Sequence, residues 1–216
     1  MVRTGTLVVA ALMLLVVACD TGQPRLERTD RDPPAAGFVW QLPQGFPTPR
    51  VPMDNPKTPG KVALGRRRVQ DPRRAGDGTV AGASCHDPAR AYTDGRARAV
   101  GIHGNIHPRS SMSLTNVAYN ATLGWDDPAL TRLEDQARVP LFNTQPPEMG
   151  VTGREADVMA RIKGDDRYPA LFSEAFPEDK NPVTVRNVTY ALAAFERTLI
   201  SGDSPYDLSL IHISEP

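Results

Sequence analysis

Apolar positions recur at helical spacing in several parts of the chain. The clearest stripe is Val185, Val188, Leu192, Phe195 and Leu199, ended by "SGDSP", which predicts a helix from about Thr184 to Ile200. Asp127-Pro128 reads as a cap followed by a first-turn proline, and Leu130, Leu133, Ala137 and Leu141 continue at helical spacing. Thr152-Gly-Arg-Glu155 has the form of a capping box, with Val158 and Ile162 after it. A shorter helix is predicted over 58–69. No run alternates between apolar and polar residues as a half-buried strand would. The expected fold is mainly α.

The two ends depart from this pattern. Arg3 precedes the apolar run "LVVAALMLLVVA" (7–18), which is short for a membrane span and stops at Cys19 before polar "DTGQ". The arrangement looks like a bacterial lipoprotein signal peptide over 1–18, with Cys19 lipidated; an ordinary secretory signal or an uncleaved anchor is the alternative. The expected location is periplasmic, held to the membrane only through the lipid. Residues 19–37 are polar and proline-containing, as a tether would be. Residues 38–56 are proline-studded but carry Phe38, Trp40, Leu42, Phe46 and Val51, and read as an extended arm lying on a domain surface. At the other end, "LSLIHISEP" (208–216) back-translates in frame to a common transposase sequencing adapter. It is set aside as an artefact, and His212 with it, leaving 38–207 as the domain and an N-terminal fragment of a longer protein as the expectation. The alternative is a genuine apolar tail, which would read as a short strand.

Composition agrees with a loop-rich helical protein: 21 prolines and 17 glycines accompany only 6% aromatic residues. Lys+Arg and Asp+Glu stand at 25 each, a balance that argues against nucleic acid as a partner. There are two cysteines. With Cys19 taken by lipid, Cys85 has no intrachain disulfide partner.

Cys85 lies in "GTVAGASCHDPA" (78–89), immediately before His86. Covalent haem attachment uses Cys-x-x-Cys-His, in which thiols add to haem vinyl groups and the adjacent imidazole binds iron. Here Gly82 stands where the first cysteine would be. The pair alone leaves three readings open: a haem site with one anchor, a thiol-redox or metal site, or an ordinary Cys-His pair.

The surrounding motifs narrow the choice. "GTVAGASCHDPARAYTDGRARAVG", "HPRSSMSLTNVAYNATLGWDDPALTRLEDQARVPLFNTQPPEMG", "YPALFSEAFP" and "ALAAFERTLISGDSPYD" resemble the di-haem cytochrome c peroxidase/MauG family, and within it the methanobactin-associated (MbnH-like) di-haem enzymes. The resemblance covers about residues 38–207. It implies a cytochrome c-like helical domain with long loops, the first of two expected haem domains. It further implies His86 as proximal iron ligand, Cys85 as the single thioether anchor of a haem c, and Gln136 and Glu148 as catalytic distal-pocket residues beside Pro140. Trp125 resembles the tryptophan that relays electrons between the haems, with a one-residue offset in its spacing to Gln136. In some bacterial peroxidases a histidine of the "GIHGNIHPRSS" loop closes the sixth iron position, and His103 and His107 are both candidates. The family's interdomain calcium uses an asparagine after the arginine matching Arg109. Ser110 stands there, which argues against calcium.

Other departures precede the haem motif. Arg68 replaces an apolar residue, Val69 an aromatic one and Arg74 a leucine. A buried unpaired arginine costs several kcal/mol, so these side chains are expected either to snorkel or to mark a damaged copy. The leading functional expectation is an exported, peroxide-dependent c-type haem oxidoreductase, reducing hydrogen peroxide while oxidising a redox donor or a partner protein. The alternative is a degenerate, non-enzymatic lipoprotein fragment that binds no haem.

Overall fold

Helix α1 begins as its sequence dictates. Thr58 caps it by accepting a hydrogen bond from the Lys61 amide, Pro59 occupies the first turn, and the helix runs Pro59–Gln70 until Asp71-Pro72 ends it. The computed structural model describes residues 37–213. The expected signal peptide, the expected lipidation site Cys19 and the expected tether, up to residue 36, lie outside the described residues. Further elements are α2 (Leu133–Gln136), α3 (Val139–Phe142), α4 (Glu155–Lys163), α5 (Tyr168–Ala175), α6 (Val185–Glu196) and α7 (Pro205–Ile213), with several single 3₁₀ turns between α1 and α2. Among the described residues there is no β-strand, only three isolated bridges. The long-loop helical fold is as the pattern predicts.

The core is organised by α6. Thr184 caps it through the Asn187 amide, and its apolar stripe packs on α1. Gly65 of α1 sits at the crossing: a Cβ there would lie 2.0 Å from the Ala191 carbonyl oxygen and 2.7 Å from the Phe195 Cβ. Only glycine permits this approach. Tyr168 and Phe172 of α5 close the other side of α1 and are fully buried. A smaller cluster of Leu114, Val117, Leu123 and Leu133 packs around Ala193.

Three helix expectations are corrected. The stripe from Leu130 to Leu141 is not one helix but two short ones, α2 and α3. Pro140 is in the first turn of α3, where its missing N–H costs least, and a continuous helix would have placed its ring against the Gln136 carbonyl. Leu133, Ala137 and Leu141 are nonetheless buried as their spacing implies. The capping box at Thr152 does not form: α4 starts at Glu155, and the Thr152 hydroxyl donates instead to the Phe142 carbonyl, at 2.8 Å. Finally, α6 ends at Glu196, and Thr198 and Leu199 continue in tighter turns. The segment 205–213 is helical rather than extended.

The arm over 38–56 is extended and packs on the domain. Phe46 stacks edge-on against Tyr119 at 5.8 Å. Asn55 donates to Glu134, which also forms a two-pronged ion pair with Arg197 at 2.7 and 2.9 Å. Lys57, fully buried, has its ammonium 3.4 Å from the Trp40 ring centre and 4.1 Å from that of Phe38. Burial, with repulsion from Arg197, lowers its pKa to about 7.

Arg68 does not snorkel. It is fully buried, donates to Asp71 at 3.2 Å and lies over the Tyr168 ring at 4.8 Å. Burial pulls its pKa down, opposed by Tyr168 and Asp71. Asp71 also receives Arg73 and the Tyr168 hydroxyl. The arginine that looked misplaced in sequence is thus paired at the end of its own helix.

Candidate functional site

A 3₁₀ turn over Gly82–Ser84 presents the Cys85-His86 pair. The Gly82 carbonyl accepts from the amides of both Cys85 and His86, at 3.0 and 2.9 Å, and Ser84 Oγ accepts from the Ala81 amide at 3.2 Å. The chain then doubles back: Asp87 and Thr93 form a bridge, and the Tyr92 amide donates to the Asp87 carbonyl at 2.9 Å. This reversal brings the Tyr92 carbonyl 2.9 Å from His86 Nδ1. A carbonyl oxygen only accepts, so Nδ1 carries the proton and the lone pair of the neutral ring lies on Nε2. That is the tautomer a metal-binding imidazole needs.

His86 opens on a cleft of about 450 Å³ at the junction of α1 and α6. Val69, Ala83, Tyr92, Phe195 and Leu199 give it apolar walls, and Arg66 stands among its polar lining groups. The volume suits a small-molecule or cofactor site. Cys85, half-buried, has its Sγ 3.9 Å from the Val100 carbonyl. Among the described residues no group of three or more His, Cys, Asp or Glu is placed to hold a metal ion.

Glu148 belongs to a second constellation. The Met149 amide donates to the Pro140 carbonyl and the Ile102 amide to the Glu148 carbonyl, both at 2.9 Å, so α3 and two loops meet there. Glu148 Oε1 lies 3.8 Å from Nδ1 of His107, which is buried with no hydrogen-bond partner on Nε2. Burial pushes the Glu148 carboxyl up, opposed by His107 and by hydrogen bonding to Asn143. Gln136, half-buried, ends α2. Neither Gln136, Pro140 nor Glu148 lines the cleft that His86 opens on.

The two loop histidines separate clearly. His103 is exposed, adopts a left-handed backbone and lies 3.5 Å from Asp77, whereas His107 is the one beside Glu148. Trp125 is 53% exposed, so core packing does not account for it. Its Nε1 donates to the Ser110 carbonyl at 3.2 Å, and the Arg109 guanidinium lies 5.8 Å from its ring. Tyr92 and Thr115 were not singled out by sequence reasoning. Tyr92 meets His86 through its backbone carbonyl and Thr115 lines the same cleft from a distant loop; neither leaves a periodic signal.

The profile of the di-haem cytochrome c peroxidases matches residues 59–212. Among curated proteins, the methylamine utilization protein MauG of Methylorubrum extorquens is 38% identical over 181 residues, covering 84% of this chain and 49% of the relative. The cytochrome c peroxidase Ccp of Escherichia coli is 34% identical, over 74% of this chain and 33% of its own. Among solved structures, a MauG-like protein associated with microbial copper homeostasis superposes with a TM-score of 0.78 at 40% identity, over 83% of this chain and 51% of that one. The di-haem peroxidase BthA of Burkholderia thailandensis gives 0.59 at 26% identity, over 74% of this chain and 44% of its own. The chain spans about half the length of the MauG relatives that it matches.

Proposed function

The chain belongs to the di-haem cytochrome c peroxidase family, and we propose that it is the first, peroxide-facing haem domain of a two-haem oxidoreductase. The observation that carries this reading is the Cys85-His86 turn. It directs an imidazole of defined tautomer at a cleft with both apolar and polar walls, with a thiol on the preceding residue. These residues fit a haem c held by His86 and by one thioether at Cys85, Gly82 offering no second sulfur.

Haem c, when bound, supplies the iron at which peroxide is reduced and electrons are exchanged. The remaining chemistry falls to side chains. Glu148, whose carboxyl burial pushes toward the protonated form, can hold and return a proton at Oε1, with His107 Nδ1 3.8 Å away. Gln136 offers an amide to orient peroxide or water, and Pro140 fixes the loop that meets Glu148. Trp125, at the surface beside Arg109, suits electron exchange with whatever covers that face. The oxidised partner is a small electron-donor protein or a protein substrate. The MauG-like relative associated with copper homeostasis supports protein modification linked to copper handling as the specific expectation. Export and a lipid anchor at Cys19 complete the proposal.

Covalent attachment is the direct test. The chain produced with a cytochrome c maturation system should stain for haem after denaturing electrophoresis, and Cys85→Ser should lose the stain while keeping its yield. An unstained wild-type band whose Cys85 labels with a thiol reagent would favour the degenerate, haem-free fragment.

A further inference from the structure

Ala91 and Tyr92 are consecutive non-glycine residues in the left-handed region, with φ of 52° and 58°. Each such residue costs about 1–2 kcal/mol, so the pair persists only where neighbouring groups hold it. The peptide between them is gripped at both ends. Its carbonyl, on Ala91, accepts from Ser113 Oγ at 2.5 Å and from Thr115 Oγ1 at 3.1 Å. Its N–H, on Tyr92, donates to the Asp87 carbonyl at 2.9 Å. Ser113 Oγ also accepts from the Thr115 amide at 3.1 Å, which ties the Ser113 hydroxyl to the Thr115 backbone. The next carbonyl along the chain is the Tyr92 oxygen that receives His86 Nδ1.

We propose that Ser113 and Thr115 are positioning residues for His86. By holding the Ala91–Tyr92 peptide in its strained turn, they aim the Tyr92 carbonyl at Nδ1. This fixes both the ring's orientation in the cleft and the tautomer that leaves the Nε2 lone pair for iron. A histidine side chain in water prefers its proton on Nε2, so the opposite tautomer has to be imposed. The inference rests on the proposed role of His86 as axial ligand. It adds that the ligand's geometry is set from a loop more than twenty residues away in sequence. Groups that orient a metal-binding histidine commonly change metal affinity or activity about 10–100-fold.

The test begins with ring-nitrogen NMR of histidine-labelled chain, at a pH above the ordinary imidazole value of about 6.5. Wild-type His86 should hold the Nδ1–H tautomer. Ser113→Ala/Thr115→Val should raise the Nε2–H tautomer about tenfold. Adding Ala91→Gly should restore most of the wild-type signal, because glycine takes the left-handed turn without cost. If the double variant does not fold, the single variants carry the same comparison. In haem-loaded protein, the ferrous iron–histidine stretch should move to lower frequency in the variant, as expected when the hydrogen bond on Nδ1 weakens. A folded variant with an unchanged His86 tautomer overturns the inference. Absence of covalent haem in the wild type instead overturns the ligand reading, and the tautomer comparison still judges the hydroxyls.

Discussion

Asp71 compensates a charge that the chain has committed to its interior. Burial alone would raise its pKa, yet hydrogen bonds from Arg73 and Tyr168 and the charge of Arg68 bring it down to about 2. A carboxyl whose folded pKa is depressed contributes stability that is complete above its unfolded pKa of about 3.9 and is lost as pH falls through the folded value. The contribution should therefore disappear between roughly pH 4 and pH 2. Asp71→Asn leaves Arg68 buried without its counter-charge and should cost about 3–5 kcal/mol in denaturant unfolding at neutral pH. The variant should also lose part of the wild-type decline in stability across that acid window. An unchanged unfolding midpoint would mean that Arg68 is solvated, contrary to its burial.

At the scale of elements, the crossing of α1 and α6 carries both the core and the cleft. Gly65→Ala would force its methyl against the Ala191 carbonyl, so the helices must separate. Overpacking of this kind costs about 1–3 kcal/mol, and the melting temperature of the variant should fall accordingly; wild-type stability would contradict the close crossing. Much at this scale was legible in the sequence. Thr58 and Thr184 cap the helices that their positions announced, and the stripe from Val188 to Phe195 faces the core. The misses have local causes. Thr152 found a tertiary acceptor in the Phe142 carbonyl that outcompeted a cap. Pro140 divided a stripe whose periodicity ignored its ring. For α5, Pro169 near the start was a usable signal left unused. The site was legible only as residues: the Cys85-His86 pair is plain in sequence, but the Tyr92 carbonyl that orients the ring depends on a backbone turn with no side-chain signature.

For the whole molecule, family membership and the proposed role of Cys85-His86 point to the same haem chemistry, and the chain spans about half the length of the MauG relatives it matches. Two constellations divide the domain. One presents His86 to the cleft between α1 and α6; the other gathers Glu148 and His107 where the 99–107 loop meets the chain after Pro140. In the family reading the first holds the cofactor and the second manages protons, and Gly82 removes one anchor from the first while leaving the second intact. The pyridine haemochrome spectrum of the matured chain, measured beside that of Gly82→Cys, tests the central claim most directly. A covalent chromophore at the one-thioether position, moving to the two-thioether position in Gly82→Cys, is the predicted result; no covalent chromophore in either protein would contradict it.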